Sequence, residues 1–177
     1  MRFFAKMLGV SLLLVGGCVT AEGKYRSETV SYVDIDRFMG RWYVIASIPT
    51  WFEKGATNAV EYYEKNPDGT IHVRFTYRQD HHEGVRKEMT QKAFVVDSKT
   101  HAHWKIRPLW PFLFDYLVLD LDEQDYQYTV IGRPNKANLW IMARQPVMNE
   151  DVYRRVVEKA VAAGYDINKI EKVPQTW

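Results

Sequence analysis

The sequence predicts an all-β domain: eight antiparallel strands, closing as a sandwich or an up-and-down barrel, with one helix after them packed on the outside. Three observations carry this. Ile71, Val73, Phe75 and Tyr77 alternate without a break against His72, Arg74, Thr76 and Arg78. Apolar on one face and polar on the other at period two marks a half-buried antiparallel strand. Similar segments recur from Arg41 to Arg144, joined by short connections carrying Gly, Pro, Asn or Asp at 80–84, 97–100, 122–125 and 133–138, which is hairpin chemistry. Near the end the apolar spacing changes from two to that of a helix.

Taken in order, residues 1–17 read as a secretory signal peptide. Arg2 and Lys6 are basic, Met7 to Val15 is apolar and too short to span a bilayer, and Gly16 and Gly17 precede Cys18. That is the layout of a cleaved export signal. Leu14-Val15-Gly16-Gly17-Cys18 resembles a bacterial lipobox, in which the cysteine is lipidated and becomes the new N-terminus. Cys18 is the single cysteine, so it has no intramolecular disulfide partner. Loss of Arg2 and Lys6 takes 24 Lys+Arg to 22, equal to the 22 Asp+Glu. A neutral mature chain has no basic footprint for nucleic acid. About 160 residues remain, one domain's worth.

Residues 18–31 are the lipidated cysteine and a polar, aperiodic tether, and 32–177 are the barrel domain with its helix. A short helical turn at Asp36 to Met39 leads into the strands, placed at about 42–48, 58–65, 70–78, 86–97, 102–108, 115–121, 126–132 and 138–144. Asn66-Pro67-Asp68-Gly69 is a turn in which Pro presets φ and Gly takes the left-handed position. The helix starts at the N-cap Asn149 with Glu150 and Asp151 in its first turn, and stops at Gly164. Its apolar stripe is Val152, Tyr153, Val156, Val157, Ala160 and Val161.

Three blocks then act together: Gly40-Arg41-Trp42-Tyr43, Asp120-Leu121-Asp122 followed by Tyr126, and Leu139-Trp140-Ile141-Met142-Ala143-Arg144. In order and spacing they resemble the three sequence blocks of the lipocalins. Phe52-Glu53-Lys54-Gly55, Trp110-Pro111-Phe112 and Gly164-Tyr165-Asp166 with Lys169 resemble the bacterial branch, which is similar to plant temperature-induced lipocalins and animal apolipoprotein D. The resemblance implies a closed eight-stranded barrel. It implies that Gly40, Trp42 and Arg144 are a structural plug at one end, with the guanidinium across the indole. It also implies a small hydrophobic ligand, such as a fatty acid or lysophospholipid, and no cofactor.

Strand alternation nominates Val44, Val73, Phe75, Tyr77, Ala93, Val95, Trp104, Ile106 and Tyr116 as interior-facing candidates for a ligand cavity. Lipocalin relatives often carry an Asn where Phe75 stands, so this interior is expected to be less polar. Glu61 is read as solvent-facing or hydrogen-bonded, with a lone interior acid as the alternative.

Catalysis finds little support. The prostaglandin isomerase type of lipocalin needs a barrel cysteine, and none exists beyond Cys18. His81-His82 and His101-Ala102-His103 fall at hairpin ends where exposed histidine is common, so no metal site is assigned. No spacing brings Glu83, Glu88, Asp120 or Asp122 together, and no nucleophile elbow or phosphate loop occurs. The reading is a non-enzymatic lipid binder, palmitoylated at Cys18 and held on the periplasmic face of a Gram-negative outer membrane. An enzyme acting on a lipophilic ligand and a structural envelope lipoprotein are the alternatives, and monomer and homodimer stay open.

Cys18→Ala should leave the protein unlipidated and absent from the membrane fraction. Full retention with membranes would reject the anchor.

Overall fold

The computed structural model describes residues 24–26 and 28–177, so the signal peptide, Cys18 and half of segment 18–31 lie outside the described residues. A helical turn α1 (Ile35–Phe38) precedes eight strands: β1 Gly40–Ile48, β2 Ala56–Lys65, β3 Ile71–Gln79, β4 Arg86–Val95, β5 His103–Arg107, β6 Phe114–Leu121, β7 Tyr128–Gly132 and β8 Leu139–Ala143. Helix α2 (Glu150–Ala162) and the two-residue strand β9 (Glu171–Lys172) follow. Each strand pairs antiparallel with its sequence neighbour, and β1 pairs with both β8 and β2, which closes the barrel. Of sandwich and barrel, the fold is the barrel.

The local chemistry explains the elements. Asp34 caps α1, its carboxylate accepting from the amides of Asp36 and Arg37, as an N-cap should. Gly69 has φ +79° in the β2–β3 turn, a conformation costly for residues with a Cβ. Tyr126, expected in the seventh strand, instead adopts φ +56°. The Asp122 carboxylate accepts from the amide of Gln127 at 3.2 Å and curls the turn past it, so β7 begins two residues later.

Helix α2 covers β1, β7 and β8 from outside. Val156 and Ala160 are buried against Ala46, Ile48, Val130, Leu139 and Ile141. Asn149 caps its start, and Lys159 pairs with Asp120 of β6 at 2.8 Å. Val161, assigned to the apolar stripe, is 40% exposed. At about 100° per residue it lies roughly 140° round from Val156, past the edge of the contact.

One feature of the closure has no counterpart in the strand pattern. β1 and β2 pair from Gly40–Tyr63 to Tyr43–Val60 and then part, at bulges in both strands. A late segment fills the gap. β9 pairs with Ala46 and Ser47, Val173 donates to the Ile45 carbonyl, and Asn58 donates to the Pro174 carbonyl. The Gln175 side-chain amide then donates to the carbonyls of Val44 at 2.8 Å and Ala59 at 3.0 Å, one on each strand.

Alternate connections share an end of an up-and-down barrel. Loops 49–55, 80–85, 108–113 and 133–138 form one end, the mouth; α1 and the turns at 66–70, 96–102 and 122–127 form the other, the floor. At the floor, Trp42 is fully buried, and its indole N–H donates to the Phe38 carbonyl at 2.8 Å. The Arg144 guanidinium stands 3.7 Å from the Trp42 ring centroid. It donates to the carbonyls of Arg37 (2.6 Å), Arg41 (2.8 Å), Phe38 (3.2 Å) and Tyr126 (3.3 Å). Burial lowers its pKa to about 10, still cationic at neutral pH. Gly40, at φ +94°, passes beneath it, and a Cβ there would stand 3.5 Å from an Arg144 nitrogen.

Trp42→Ala should cost about 3–5 kcal/mol as a large-to-small core change. Arg144→Ala should cost about 2–4 kcal/mol, because several carbonyls lose a charged donor. The carbonyl bonds survive loss of the indole, so the double variant should recover only the cation–π share, about 1–2 kcal/mol. Urea denaturation of the four proteins measures it, and strictly additive losses would show that the ring and guanidinium are energetically independent.

Candidate functional site

The barrel interior is built by alternate residues of every strand. Val44, Val73, Phe75, Tyr77, Ala93, Trp104, Ile106 and Tyr116 lie in one buried cluster with Trp42. Val95 is half-buried and packs against it. These nominated residues divide by depth. Trp104 and Tyr116 stack at 5.6 Å, and Phe38 contacts the rings of Trp42, Tyr63 and Trp104 at 5.1, 5.4 and 5.1 Å. The lower half is thus an aromatic floor. Val73, Phe75 and Tyr77 climb β3 toward the mouth, with Phe75 and Tyr77 stacked at 5.1 Å. Met89 of β4, directly opposite Phe75, belongs to the same level.

The unexpected interior group is Glu61. It is 5% exposed and faces inward, because its register partners are Trp42 on β1 and Phe75 on β3. The solvent-facing alternative is therefore wrong. The Tyr63 hydroxyl donates to its carboxyl, and the Tyr116 hydroxyl donates to the same oxygen at 3.4 Å. Burial, with the charge of nearby Glu53 as a lesser cause, raises its pKa to about 8. Burial also pushes the Tyr116 phenol well above its ordinary range. A neutral carboxylic acid and two tyrosines form one polar node in an apolar interior, level with Phe75.

Above the node, Tyr77 donates to the Phe52 carbonyl at 3.0 Å, drawing loop 49–55 over the mouth. Glu53 in that loop accepts from the Thr50 amide at 2.7 Å and the Trp140 indole at 3.2 Å. Lys87, facing inward opposite Tyr77, stands 5.9 Å from that ring at the exposed rim. Trp51, Val85, Leu109, Trp110 and Phe112 are 85%, 74%, 69%, 77% and 56% exposed, and all sit on mouth loops.

The histidines do not converge. His103 is buried, not exposed as its hairpin position implied, because Tyr25 covers it at 5.1 Å while its Nε2 meets Asp115 at 2.7 Å. His101, at φ +54°, turns instead to the Val33 carbonyl. No group of three His, Cys, Asp or Glu able to hold a metal occurs among the described residues.

Glu61 and Tyr63 of β2 and Trp140 of β8 escaped strand alternation because their strands do not alternate in burial. β8 is covered on both faces, by the interior and by α2, and β2 is buried from Ala56 to Glu61 without a break. Period two carries no signal there.

Since the Glu61 pKa is raised on folding, the folded state holds a proton that the unfolded chain releases above its ordinary value of 4.5. Its stabilising contribution is complete below that value and is lost as pH rises through about 8. Glu61→Gln should therefore flatten the fall of stability between about pH 5 and about pH 8. Parallel thermal-melt profiles for wild type and variant would show that Glu61 does not titrate there.

With this geometry in hand, residues 33–175 match a family described as a lipocalin-like domain. Temperature-induced lipocalin-1 of Arabidopsis thaliana is 40% identical over 162 residues, covering 86% of this chain and 85% of its own. Outer membrane lipoprotein Blc of Vibrio cholerae is 28% identical over 163 residues, covering 92% and 94%. Among solved structures, insecticyanin from the tobacco hornworm Manduca sexta superposes with a TM-score of 0.66 at 16% identity, over 84% of each chain. At that identity the likeness concerns the fold alone.

Proposed function

The chain belongs to the lipocalin family, and from that premise we propose that it binds the acyl chain of a fatty acid, lysophospholipid or similar amphiphile inside the barrel. The observation that carries the reading is the division of the interior. A packed aromatic floor lies below Glu61; Phe75 and Met89 stand level with Glu61, and Tyr77 lies above them toward the mouth. An apolar lining with one polar node suits a chain that enters tail first. Glu61 and its tyrosines disfavour a carboxylate placed deep in the barrel, so a charged headgroup belongs at the mouth, where Lys87 is the inward-facing cation. The exposed apolar rim of Trp51, Leu109, Trp110 and Phe112 gives an amphiphile a surface to cross before entry.

The reading is of a binder that transports, stores or removes its ligand rather than of a catalyst. No cysteine lies among the described residues, and among them the hydrogen bonds to the buried Glu61 carboxyl come from tyrosines rather than from a second acid or a nucleophile. The lipobox at Cys18 supports a lipid anchor in the outer membrane of a Gram-negative cell. Bacterial relatives at 28% identity that bear the name outer membrane lipoprotein point the same way.

Titration with a fluorescent fatty acid tests the proposal. Ala93 is fully buried between Ile71 and Ile106 on the floor side of Glu61, so Ala93→Trp should abolish binding by raising the floor into the ligand level. Met89→Trp, nearer the rim, does the same with less burden on the core. Phe75→Ala should be milder, and Arg74→Ala, on the opposite face of the same strand, should be neutral. Wild-type affinity in either folded tryptophan variant would place the ligand elsewhere.

A further inference from the structure

The outer face of β1 to β4 carries a groove of about 320 Å³, walled off from the interior by the sheet itself. Its floor is apolar to neutral, with Val60 and Thr76 side by side in register. Arg41, Arg74, Arg78 and Arg86 line it, and no carboxylate does. Register places the four in two groups. Arg41 and Arg74 flank Tyr62 across three neighbouring strands, and Arg78 faces Arg86 directly across β3 and β4. Arg74 and Arg78, four residues apart on one face of β3, separate the groups by about 13 Å.

The guanidinium groups are held without being neutralised. Arg74 lies over the Tyr62 ring at 5.4 Å and Arg41 near the Tyr43 ring at 6.0 Å. Arg78 donates to the Gly84 carbonyl at 3.0 Å. Of these four, Arg86 is the one with a carboxylate partner among the described residues, Glu88 at 2.8 Å. Like charges directly opposite each other destabilise a sheet, and Arg78 and Arg86 are such a pair. An anion seated between them removes the repulsion. Guanidinium forks suit phosphate oxygens, which accept two parallel N–H bonds. Beside them the groove offers Tyr43 and Trp177, whose rings meet edge to face at 5.7 Å, an aromatic wall against which a sugar ring or another nonpolar body packs.

We propose that this groove is a second ligand site, outside the barrel, for a molecule bearing two phosphate groups on a sugar-like core. Arg78 and Arg86 take one phosphate, and Arg41 and Arg74 the other. The site does not depend on the barrel ligand. Such a ligand exists free or as the headgroup of a phosphorylated glycolipid, and the sheet face presents the same contacts to both.

Isothermal titration with fructose 1,6-bisphosphate at about 0.15 M salt, where long-range attraction is screened, reads the free form. Flotation with phosphatidylcholine vesicles, with and without phosphatidylinositol 4-phosphate, reads the lipid form. One-to-one binding of the bisphosphate, at least about tenfold tighter than of fructose 6-phosphate, is expected if both groups engage. Arg74→Gln and Arg78→Gln should each weaken it by about tenfold, Glu88→Gln should strengthen it by releasing Arg86, and Lys92→Gln, outside the groove, should change nothing. Circular dichroism checks folding, and fatty-acid titration of the same variants reads the interior separately, so failure of one site leaves the other standing. Bisphosphate binding with no vesicle binding assigns the free ligand; vesicle binding that needs both arginines assigns the headgroup. Equal affinity for mono- and bisphosphate, loss equal in Lys92→Gln and Arg78→Gln, or no binding in either arm overturns the site.

Discussion

The barrel rests on the packing of one guanidinium against one indole. Arg144 directly follows β8 and Trp42 lies near the start of β1, so their 3.7 Å contact locks the last barrel strand to the first. The same guanidinium gathers carbonyls from α1, from β1 and from the β6–β7 turn. A cation placed at the C-terminal end of a helical turn also meets its partial negative charge. Remove that cation and elements distant in sequence lose their common anchor, while buried carbonyls lose a charged donor. The aromatic floor above it, from Phe38 to Tyr116, is level because that base is rigid. The depth of the interior available to a ligand is therefore set from below.

Glu61 shows what such a floor permits. An isolated acid in an apolar interior costs free energy in its charged form and keeps its proton instead. Held by Tyr63 and Tyr116, the neutral acid becomes a fixed donor and acceptor at the boundary between the filled and lining halves. It divides the interior chemically at the height where packing already divides it. A polar group reaching that level must match a hydrogen-bond pattern, whereas a methylene chain ends against it.

How much of this the amino-acid order discloses depends on how many faces of each strand are covered. β3 has one wet face, and Ile71 to Arg78 spell out its orientation residue by residue. The turns at 66–70 and 122–125 are equally plain, because Pro, Gly and Asx residues act through neighbours one to three positions away. β2 is opaque: Ala56 to Glu61 are buried one after another and its inner face carries an acid, so Glu61 looks like a surface residue. Val161 and Tyr126 mislead for local reasons, the angular limit of a helix contact and a left-handed turn residue. The buried state of His103 is invisible because Tyr25, which covers it, is 78 residues away in sequence. Local chemistry is legible, and burial imposed by a distant segment is not.

The seam between β1 and β2 has a further consequence, for the order in which the chain can be made. Translation delivers β1 to β8 first, and β1 can then meet β8 and the lower part of β2. The upper seam stays open, with the carbonyls of Val44 and Ala59 bare, until Gln175 emerges. During that interval the nascent barrel has an unpaired edge, the kind of surface on which incomplete chains join one another. Sealing that edge is the work of a segment that follows all eight barrel strands, so the same few residues that complete the wall also end the period in which the barrel can be lost to aggregation.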